Sequence, residues 1–163
     1  MEYVYIGKIV NTHGIKGEIR ILSNFDKKEI VFMPGFKIYI GNTKEENIII
    51  SYRKHKNFDM VKLKGIDDIN EVLKYKGFKV YVNRDDLNLN NNEYVLDDLL
   101  SLNIISNNKN YGIVENIFDN NGNVLLAIKF EKNYYIPYNS DYIKEVDLQN
   151  KIIYVNNVEE LIL

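Results

Sequence analysis

The sequence has no cysteine and no tryptophan, and only two of its 163 residues are proline. Without cysteine, the chain can form neither disulfides nor thiolate-ligated zinc sites, and it offers no thiol nucleophile. No apolar run approaches the roughly 20 residues that span a bilayer. The first residues, MEYVYIGKIV, also lack the basic and apolar regions of a signal peptide. We therefore expect a cytoplasmic protein that does not associate with membranes.

The chain contains enough apolar residues to form the core of one ordinary domain or of two small ones. Hydrophobic residues make up 45% of the sequence and charged residues 27%, and 13 tyrosines and seven phenylalanines make it rich in aromatic side chains. This composition is typical of a folded, water-soluble protein with a sizeable core.

Charge is divided unevenly along the chain. Residues 1–83 contain 15 Lys and Arg against 10 Asp and Glu, a net charge of +5, whereas residues 84–163 contain 6 against 13, a net charge of −7. A basic half suits phosphate backbones, and an acidic half suits a basic protein. The division predicts two surfaces with different partners, although chance variation in surface charge would produce the same numbers.

The first half has the pattern of a small closed barrel. Short segments rich in Ile, Val, Tyr and Phe predict the strands Tyr3–Asn11, Glu18–Ser23, Lys37–Ile40, Asn47–Lys54, Met60–Leu63 and Phe78–Val82. One helix is expected within Ile66–Gly77, where apolar residues recur at helical spacing, Asp67 or Asp68 can cap the start, and the glycine can end it. We expect a six-stranded barrel over residues 1–83, followed by a polar, Asn-rich linker at 84–92.

The second half, residues 93–163, also predicts β-structure. An apolar stripe at helical spacing in Tyr94–Leu102 precedes the predicted strands Asn103–Ser106, Tyr111–Phe118, Val124–Phe130, Tyr134–Pro137, Ile143–Asp147 and Ile152–Val155. Asn-rich stretches before two of these strands are typical of hairpin turns with positive φ, and a short helix is expected at Val158–Leu163. The fold class is thus mainly β, with two small β-barrels in tandem and one or two short helices.

The stretch Asn11–Arg20, NTHGIKGEIR, combines glycines with positive charge. Gly14 and Gly17 allow tight turns, and Lys16 and Arg20 bring cations close to backbone amides, which suits a phosphate group. It is not a nucleotide P-loop, because that motif needs four residues between its glycines and a following Lys-Ser or Lys-Thr. The pattern indicates an anion-binding or turn-forming loop.

His13 in the same stretch is a candidate general base, with Glu18 as the nearest carboxylate that could orient it. No Ser-His-Asp or metal-ligand spacing accompanies the chain's two histidines, His13 and His55. A structural role in the turn, or a contact with RNA or protein, is therefore the better hypothesis.

A second basic cluster consists of Arg53, Lys54, His55 and Lys56, followed by Phe58. Basic residues beside an aromatic ring can hold phosphates and stack on a base. A solvated hairpin tip would have the same composition, so both interpretations stay open.

The acidic residues before and after the linker do not follow the spacing of a cation-binding loop. We therefore expect no metal and no cofactor. In Tyr94–Leu102, YVLDDLLSL, the apolar stripe surrounds the pair Asp97 and Asp98. This segment either covers the second barrel or exposes an apolar patch rimmed by acid, which would suit a basic protein.

These pieces resemble the RimM family of ribosome maturation factors. IGKIVNTHGIKGEIR at 6–20 resembles that family's first strand and its loop, H-G-x-[KR]-G-E-[VI]-[KR], and VKLKGIDDINEVLKYKGFKVYV at 61–82 resembles its later strand, helix and strand. After the linker, EYVLDDLLSLNII, YGIVENIF, NVLLAIK, YYIPY and IKEVDLQNKIIYV resemble successive strands of a PRC-barrel domain.

The resemblance implies an N-terminal six-stranded barrel joined to a C-terminal PRC barrel, with no enzymatic activity. It implies a factor that assembles the head of the small ribosomal subunit and supports processing of small-subunit rRNA. The implied partners are small-subunit ribosomal protein nineteen and neighbouring rRNA, and we expect the factor itself to be a monomer.

The resemblance also directs the choice of site residues. Together with the basic cluster, the family's loop gives the predicted RNA or ribosome contacts His13, Gly14, Lys16, Gly17, Arg20, Arg53 and Lys54. The family's partner-binding aromatic pair falls at Tyr94 and Val95, where valine replaces a second tyrosine, and Leu96 replaces a frequent tryptophan. The predicted contacts with the ribosomal protein are Tyr94, Val95, Leu96, Asp97 and Asp98.

Two alternatives stay open on the sequence. The first is an RNA-modifying or hydrolytic enzyme that uses His13 with Glu18 or Asp98. The second is a generic PRC-barrel adaptor, because such barrels also occur in proteins unrelated to ribosomes.

Overall fold

The computed structural model describes residues 1–13, 17–120 and 122–162, without the side chain of His13. The chain divides into two compact units, Met1–Glu93 and Tyr94–Leu163. Both units are built mainly from β-strands with a few short helices, so the predicted fold class is confirmed. Within the described residues, no helix has the length and apolar character needed to cross a membrane.

The first unit is a closed β-barrel. Its strands, among the residues described, are β1 Tyr3–His13, β2 Glu18–Leu22, β3 Lys37–Ile40, β4 Glu45–His55, β5 Phe58–Leu63 and β6 Lys79–Asn83. They follow each other around the barrel in the order β1-β2-β5-β4-β3-β6, and each described pair is antiparallel.

Alternation of side chains explains how this barrel fills its interior. On β2, Ile19 and Ile21 are fully buried while Arg20 between them lies on the other face, as the two-residue period of a strand requires. The register of β1 shifts between Tyr5 and Gly7. A Cβ atom at Gly7 would lie 2.8 Å from the carbonyl oxygen of Leu22, so this close approach of strands needs glycine.

The predicted helix within Ile66–Gly77 is confirmed, in a shorter form. It comprises an α-helical turn, α2 (Ile69–Val72), that continues as a 3₁₀ turn at Leu73–Tyr75. The Asp68 side chain accepts a hydrogen bond from the Asn70 amide at 3.0 Å, which caps the helix. Val72 and Tyr75 are buried, so the turn covers the barrel core.

A short helix that the sequence analysis did not predict, α1 (Lys28–Val31), lies between β2 and β3. Its Lys28 ammonium lies 2.8 Å from a carboxylate oxygen of Asp59, whose side chain is fully buried. The Tyr52 hydroxyl donates to the other oxygen at 2.7 Å. Burial and this hydrogen bond raise the pKa of Tyr52 to about 12. This network therefore joins α1 to β4 and β5.

The second unit contains a six-stranded sheet within its described residues. The strands are β7 Asn103–Ser106, β8 Lys109–Asn120, β9 Asn123–Lys129, β10 Tyr134–Pro137, β11 Ile143–Asp147 and β12 Ile152–Val155. Their order is β10-β9-β8-β7-β12-β11, and β12 runs parallel to β7.

The core of this unit is aliphatic with a few tyrosines. Leu126, Ile136 and Ile153 are fully buried in it, and the 3₁₀ turn Val158–Leu161 takes the place of the expected terminal helix. Asn107 and Asn108, both with positive φ, join β7 to β8. The predicted Asn-rich hairpin turn is therefore confirmed at this position.

The boundaries of the predicted linker, 84–92, stay a prediction. The structure places a 3₁₀ turn at Arg84–Leu87, and the Leu87 side chain is buried. The first residues of the polar stretch therefore belong to a folded element of the first unit.

Candidate functional site

The predicted anion-binding loop joins β1 to β2. Gly14, Lys16 and the His13 side chain lie outside the described residues, so their contacts stay predictions. Gly17 has a φ of +78°, and a Cβ atom there would lie 3.3 Å from the carbonyl oxygen of Asp68. The position thus favours glycine both for its backbone conformation and for its packing against the start of α2.

Strand pairing brings Arg20 and Arg53 to one face of the barrel, although they are far apart in sequence. Both lie opposite Met60 of β5, Arg20 from β2 and Arg53 from β4. Residues directly opposite each other share a face of a sheet. The guanidinium of Arg20 also lies 4.8 Å from the centre of the Phe58 ring. We call the group Glu18, Arg20, Arg53 and Phe58 the arginine face.

Glu18 is the acidic member of the arginine face. The guanidinium of Arg53 donates two hydrogen bonds to its carboxylate, from Nε at 2.7 Å and from a terminal nitrogen at 2.9 Å. These hydrogen bonds raise the pKa of Arg53. Glu18 was the carboxylate expected to orient His13 as a base, and in the structure it binds Arg53.

The basic cluster predicted at 53–56 does not form one surface. Arg53 and Lys54 are consecutive residues of β4, so their side chains point to opposite faces of the sheet. Lys54 lies opposite Asp59, whereas Arg53 lies opposite Met60. Lys56 has a φ of +56° at the hairpin tip. The structure therefore separates Lys54 from the arginine face, with which the sequence analysis had grouped it.

The predicted protein-binding segment begins the second unit. A 3₁₀ turn covers Leu96–Leu99, and the Asp98 carboxylate caps it by accepting a hydrogen bond from the Val95 amide at 3.0 Å. Val95 is only 2% exposed. So small an exposed area leaves this side chain almost no surface for a partner, which speaks against the predicted contact at Val95.

Other residues of that segment reach the surface. Asp97 is exposed, and Leu100 is 39% exposed, although the sequence analysis did not select it as a contact. Tyr94 and Leu96 are half-buried against the core of the second unit, and the Tyr94 hydroxyl forms a hydrogen bond with that of Tyr138. The segment therefore both covers the core and presents an apolar and acidic surface.

Known proteins resemble the chain over nearly its whole length. The family model of the RimM N-terminal domain matches residues 4–87, and that of the RimM PRC barrel domain matches residues 96–161. A ribosome maturation factor RimM from Staphylococcus haemolyticus is 42% identical over 164 residues, and one from Staphylococcus aureus is 39% identical. Each alignment covers 98% of this chain and 98% of the relative.

A solved structure of the N-terminal domain of RimM from Thermus thermophilus is also similar. It is 21% identical in sequence, with a TM-score of 0.46, and it covers 53% of this chain and 95% of that domain.

Proposed function

The chain belongs to the RimM family of ribosome maturation factors, and from this we propose that it assembles the head of the small ribosomal subunit without catalysis. In this proposal it binds small-subunit rRNA and small-subunit ribosomal protein nineteen, and it promotes processing of that rRNA. The observation that carries the proposal is the match of both family domains, in order, over nearly the entire chain.

The arginine face supports the rRNA part of the proposal. A guanidinium held over an aromatic ring offers a cation for a phosphate beside a surface on which a base can stack. Arg20 and Phe58 have this arrangement, and Arg53 lies on the same face. The first unit, Met1–Glu93, has 16 Lys and Arg against 13 Asp and Glu, and this net charge of +3 attracts a phosphate backbone to the unit as a whole.

The charge of the second unit supports the protein part. Ribosomal proteins that bind rRNA are basic, and the second unit, Tyr94–Leu163, has 5 Lys and Arg against 10 Asp and Glu, a net charge of −5. Asp97 and the exposed part of Leu100 combine a negative charge with apolar area, as the rim and centre of a protein interface require. In this proposal Tyr94, Leu96, Asp97, Asp98 and Leu100 form the contact.

Two observations favour binding over chemistry. Glu18 is hydrogen-bonded to Arg53, and Asp98 caps a 3₁₀ turn. Both carboxylates considered for a catalytic pair with His13 are thus engaged in other contacts. A factor of this kind acts by population shift: it binds one conformation of the subunit head more tightly, which favours that conformation. The contacts that form in the mature subunit then displace the factor.

Replacing Arg20 with glutamine tests the rRNA part of the proposal. Binding of the full chain to a transcript of the head domain of small-subunit rRNA should weaken at every salt concentration. The slope of log affinity against log salt should become shallower by about 1, because one phosphate contact is lost. Fluorescence anisotropy across a salt series measures both quantities, and circular dichroism checks the fold.

Two further variants make this test specific. Lys129→Gln removes an exposed cation from the second unit and should leave the slope unchanged. Glu18→Gln removes the negative charge beside Arg53 and should strengthen binding. If Arg20→Gln and Lys129→Gln had equal slopes, the arginine face would not be the rRNA-binding surface.

A further inference from the structure

A second surface of the first unit carries four tyrosines, brought together by barrel closure. In the strand register, Tyr81 of β6 lies opposite both Tyr5 of β1 and Tyr39 of β3. Tyr3 lies two residues before Tyr5, so it shares the same face. The ring of Tyr3 contacts those of Tyr39 and Tyr81, and the ring of Tyr81 contacts that of Tyr5. We call Tyr3, Tyr5, Tyr39 and Tyr81 the tyrosine face.

The rings pack edge to face, which leaves some of their area exposed to solvent. The ring centroids of Tyr3 and Tyr39 are 5.2 Å apart, those of Tyr5 and Tyr81 are 6.0 Å apart, and both pairs are T-shaped. Tyr39 is only 4% exposed, whereas Tyr3 is 37% exposed and Tyr5 is 43% exposed. Tyr39 is thus the buried member of the cluster, and Tyr3 and Tyr5 present aromatic surface to solvent.

Lysines surround these exposed rings. The ammonium of Lys44 lies 4.2 Å from the centre of the Tyr81 ring and 5.5 Å from that of Tyr3. The ammonium of Lys79 lies 5.8 Å from the Tyr5 ring. Lys8 is exposed and lies opposite Lys79 in the register of β1 and β6. Three cations therefore border the aromatic surface.

Two acidic groups, Glu46 and Asp86, act on the buried Tyr39, and Glu2, which precedes Tyr3, pairs with Arg84. Glu46 lies opposite Tyr39 in the register of β3 and β4 and accepts a hydrogen bond from its hydroxyl at 3.5 Å. Burial, with the negative charges of Glu46 and Asp86, raises the pKa of Tyr39. Glu46 and Asp86 thus act on Tyr39, whereas the exposed rings of Tyr3 and Tyr5 have lysines beside them.

We propose that the tyrosine face binds single-stranded RNA, with bases stacked on Tyr5 and Tyr3 and phosphates held by Lys44, Lys79 and Lys8. Exposed aromatic rings beside cations are the shared feature of surfaces that bind single strands, because every base has a face that can stack. The lysines repel a basic protein and attract a phosphate backbone.

The tyrosine face adds a second RNA-binding surface to the one in the proposed function. The arginine face holds its guanidinium groups on β2 and β4, whereas the tyrosine face lies on β1, β3 and β6. A factor that acts during assembly meets rRNA segments that are not yet paired. A stacking surface recognises such segments through their exposed bases, without reading a sequence.

Binding of fluorescein-labelled decauridine to the full chain, measured by anisotropy, tests the inference. Tyr5→Leu should raise the dissociation constant about tenfold, in the range for loss of one stacked base. Tyr5→Phe keeps the ring and should stay within about twofold of the unchanged chain, because stacking needs no hydroxyl. Lys44→Ala should make the salt slope shallower by about 0.7, the value for one phosphate contact on a single strand.

Tyr135→Leu is the matched control. Tyr135 is a strand tyrosine of the second unit and is 54% exposed, and its replacement should leave decauridine binding unchanged. The inference is overturned if the unchanged chain does not bind decauridine, if Tyr5→Leu binds as well as Tyr5→Phe, or if Tyr135→Leu causes an equal loss. An acidic protein retained by the unchanged chain and released by Tyr5→Leu, with RNA binding unaffected, would also overturn it.

Failure of RNA binding at the tyrosine face can be distinguished from failure of the proposed assembly role. If the chain sediments with small subunits while Tyr5→Leu binds decauridine normally, the assembly role stands and the stacking surface does not. For the Tyr5 variants, melting temperatures of the first unit within about 2 °C of the unchanged chain would exclude unfolding as a cause, because 1 kcal/mol shifts the melting of a unit of this size by roughly 4–8 °C.

Discussion

Replacing Lys28 with methionine should lower the free energy of unfolding of the first unit by about 2 to 3 kcal/mol. The buried carboxylate of Asp59 would keep its hydrogen bond from Tyr52 but lose the cation 2.8 Å away. Loss of one partner of a fully buried pair typically costs about 3–5 kcal/mol. The Lys28 side chain is 27% exposed, so solvent screening reduces that figure.

Native-state hydrogen exchange on peptides from β4 and β5 measures this loss within the full chain. Lys27→Met is the matched control, because Lys27 immediately precedes α1 and forms no ion pair in the described part of the chain. Lys27→Met should change the free energy of opening, as measured by hydrogen exchange, by less than about 0.5 kcal/mol, as most surface substitutions do. Equal protection in the two variants would show that the Lys28–Asp59 pair does not stabilise the barrel.

Replacing Gly112 with alanine should destabilise the second unit by about 3 kcal/mol or more, because overpacking and backbone strain act together. Gly112 lies in β8 with a φ of +117°. A Cβ atom there would lie 2.5 Å from the carbonyl oxygen of Lys129 and 2.7 Å from a methyl carbon of Ile128. Both neighbours belong to β9, so the added methyl group would force apart the strands at the centre of the sheet.

Pulse proteolysis in increasing urea, with fragments assigned by mass, gives the unfolding midpoint of each unit. Gly122→Ala separates the two causes, because Gly122 also has a positive φ, of +90°, but no described atom would lie within 4 Å of its Cβ. That variant should lose only about 1 kcal/mol, the cost of the backbone strain. If the two variants unfolded at the same urea concentration, the approach of β8 and β9 would not be what requires glycine at position 112.

The strands of both units were predictable because each depends on local features. Alternating apolar residues on β2 and glycine or asparagine turns such as Asn107 and Asn108 determine where a strand lies and where it ends. Strand ends were less exact: β4 begins at Glu45 and continues to His55, beyond the predicted range of residues 47–54. Pairing with β3 and β5 extends it, and pairing partners are not visible in a local pattern.

Contacts between distant residues were not predictable. Helix α1 is only four residues long and is held by the contact of Lys28 with Asp59, which no sequence period shows. The pairing of Glu18 with Arg53 depends on the barrel register, and so does the separation of Lys54 from Arg53. The position of a residue in a motif likewise does not reveal whether its side chain is buried, and for this reason Val95 was predicted as a surface contact.

The tyrosine face illustrates the same limit. The sequence shows an abundance of tyrosine but not that Tyr5, Tyr81 and Tyr39 meet, because they lie on strands that become neighbours only when the barrel closes. The alternation of Tyr3 and Tyr5 along β1 was the available signal, since residues two apart on a strand share a face.

Sedimentation with ribosomal particles tests the central claim, that this chain assembles the small subunit through binding alone. The purified chain is mixed with free small subunits, or with complete ribosomes, in the absence of nucleotide, and each mixture is resolved on a sucrose gradient. The chain should migrate with free small subunits and should not migrate with complete ribosomes. Migration only as free protein, or equal migration with both particles, would contradict the claim.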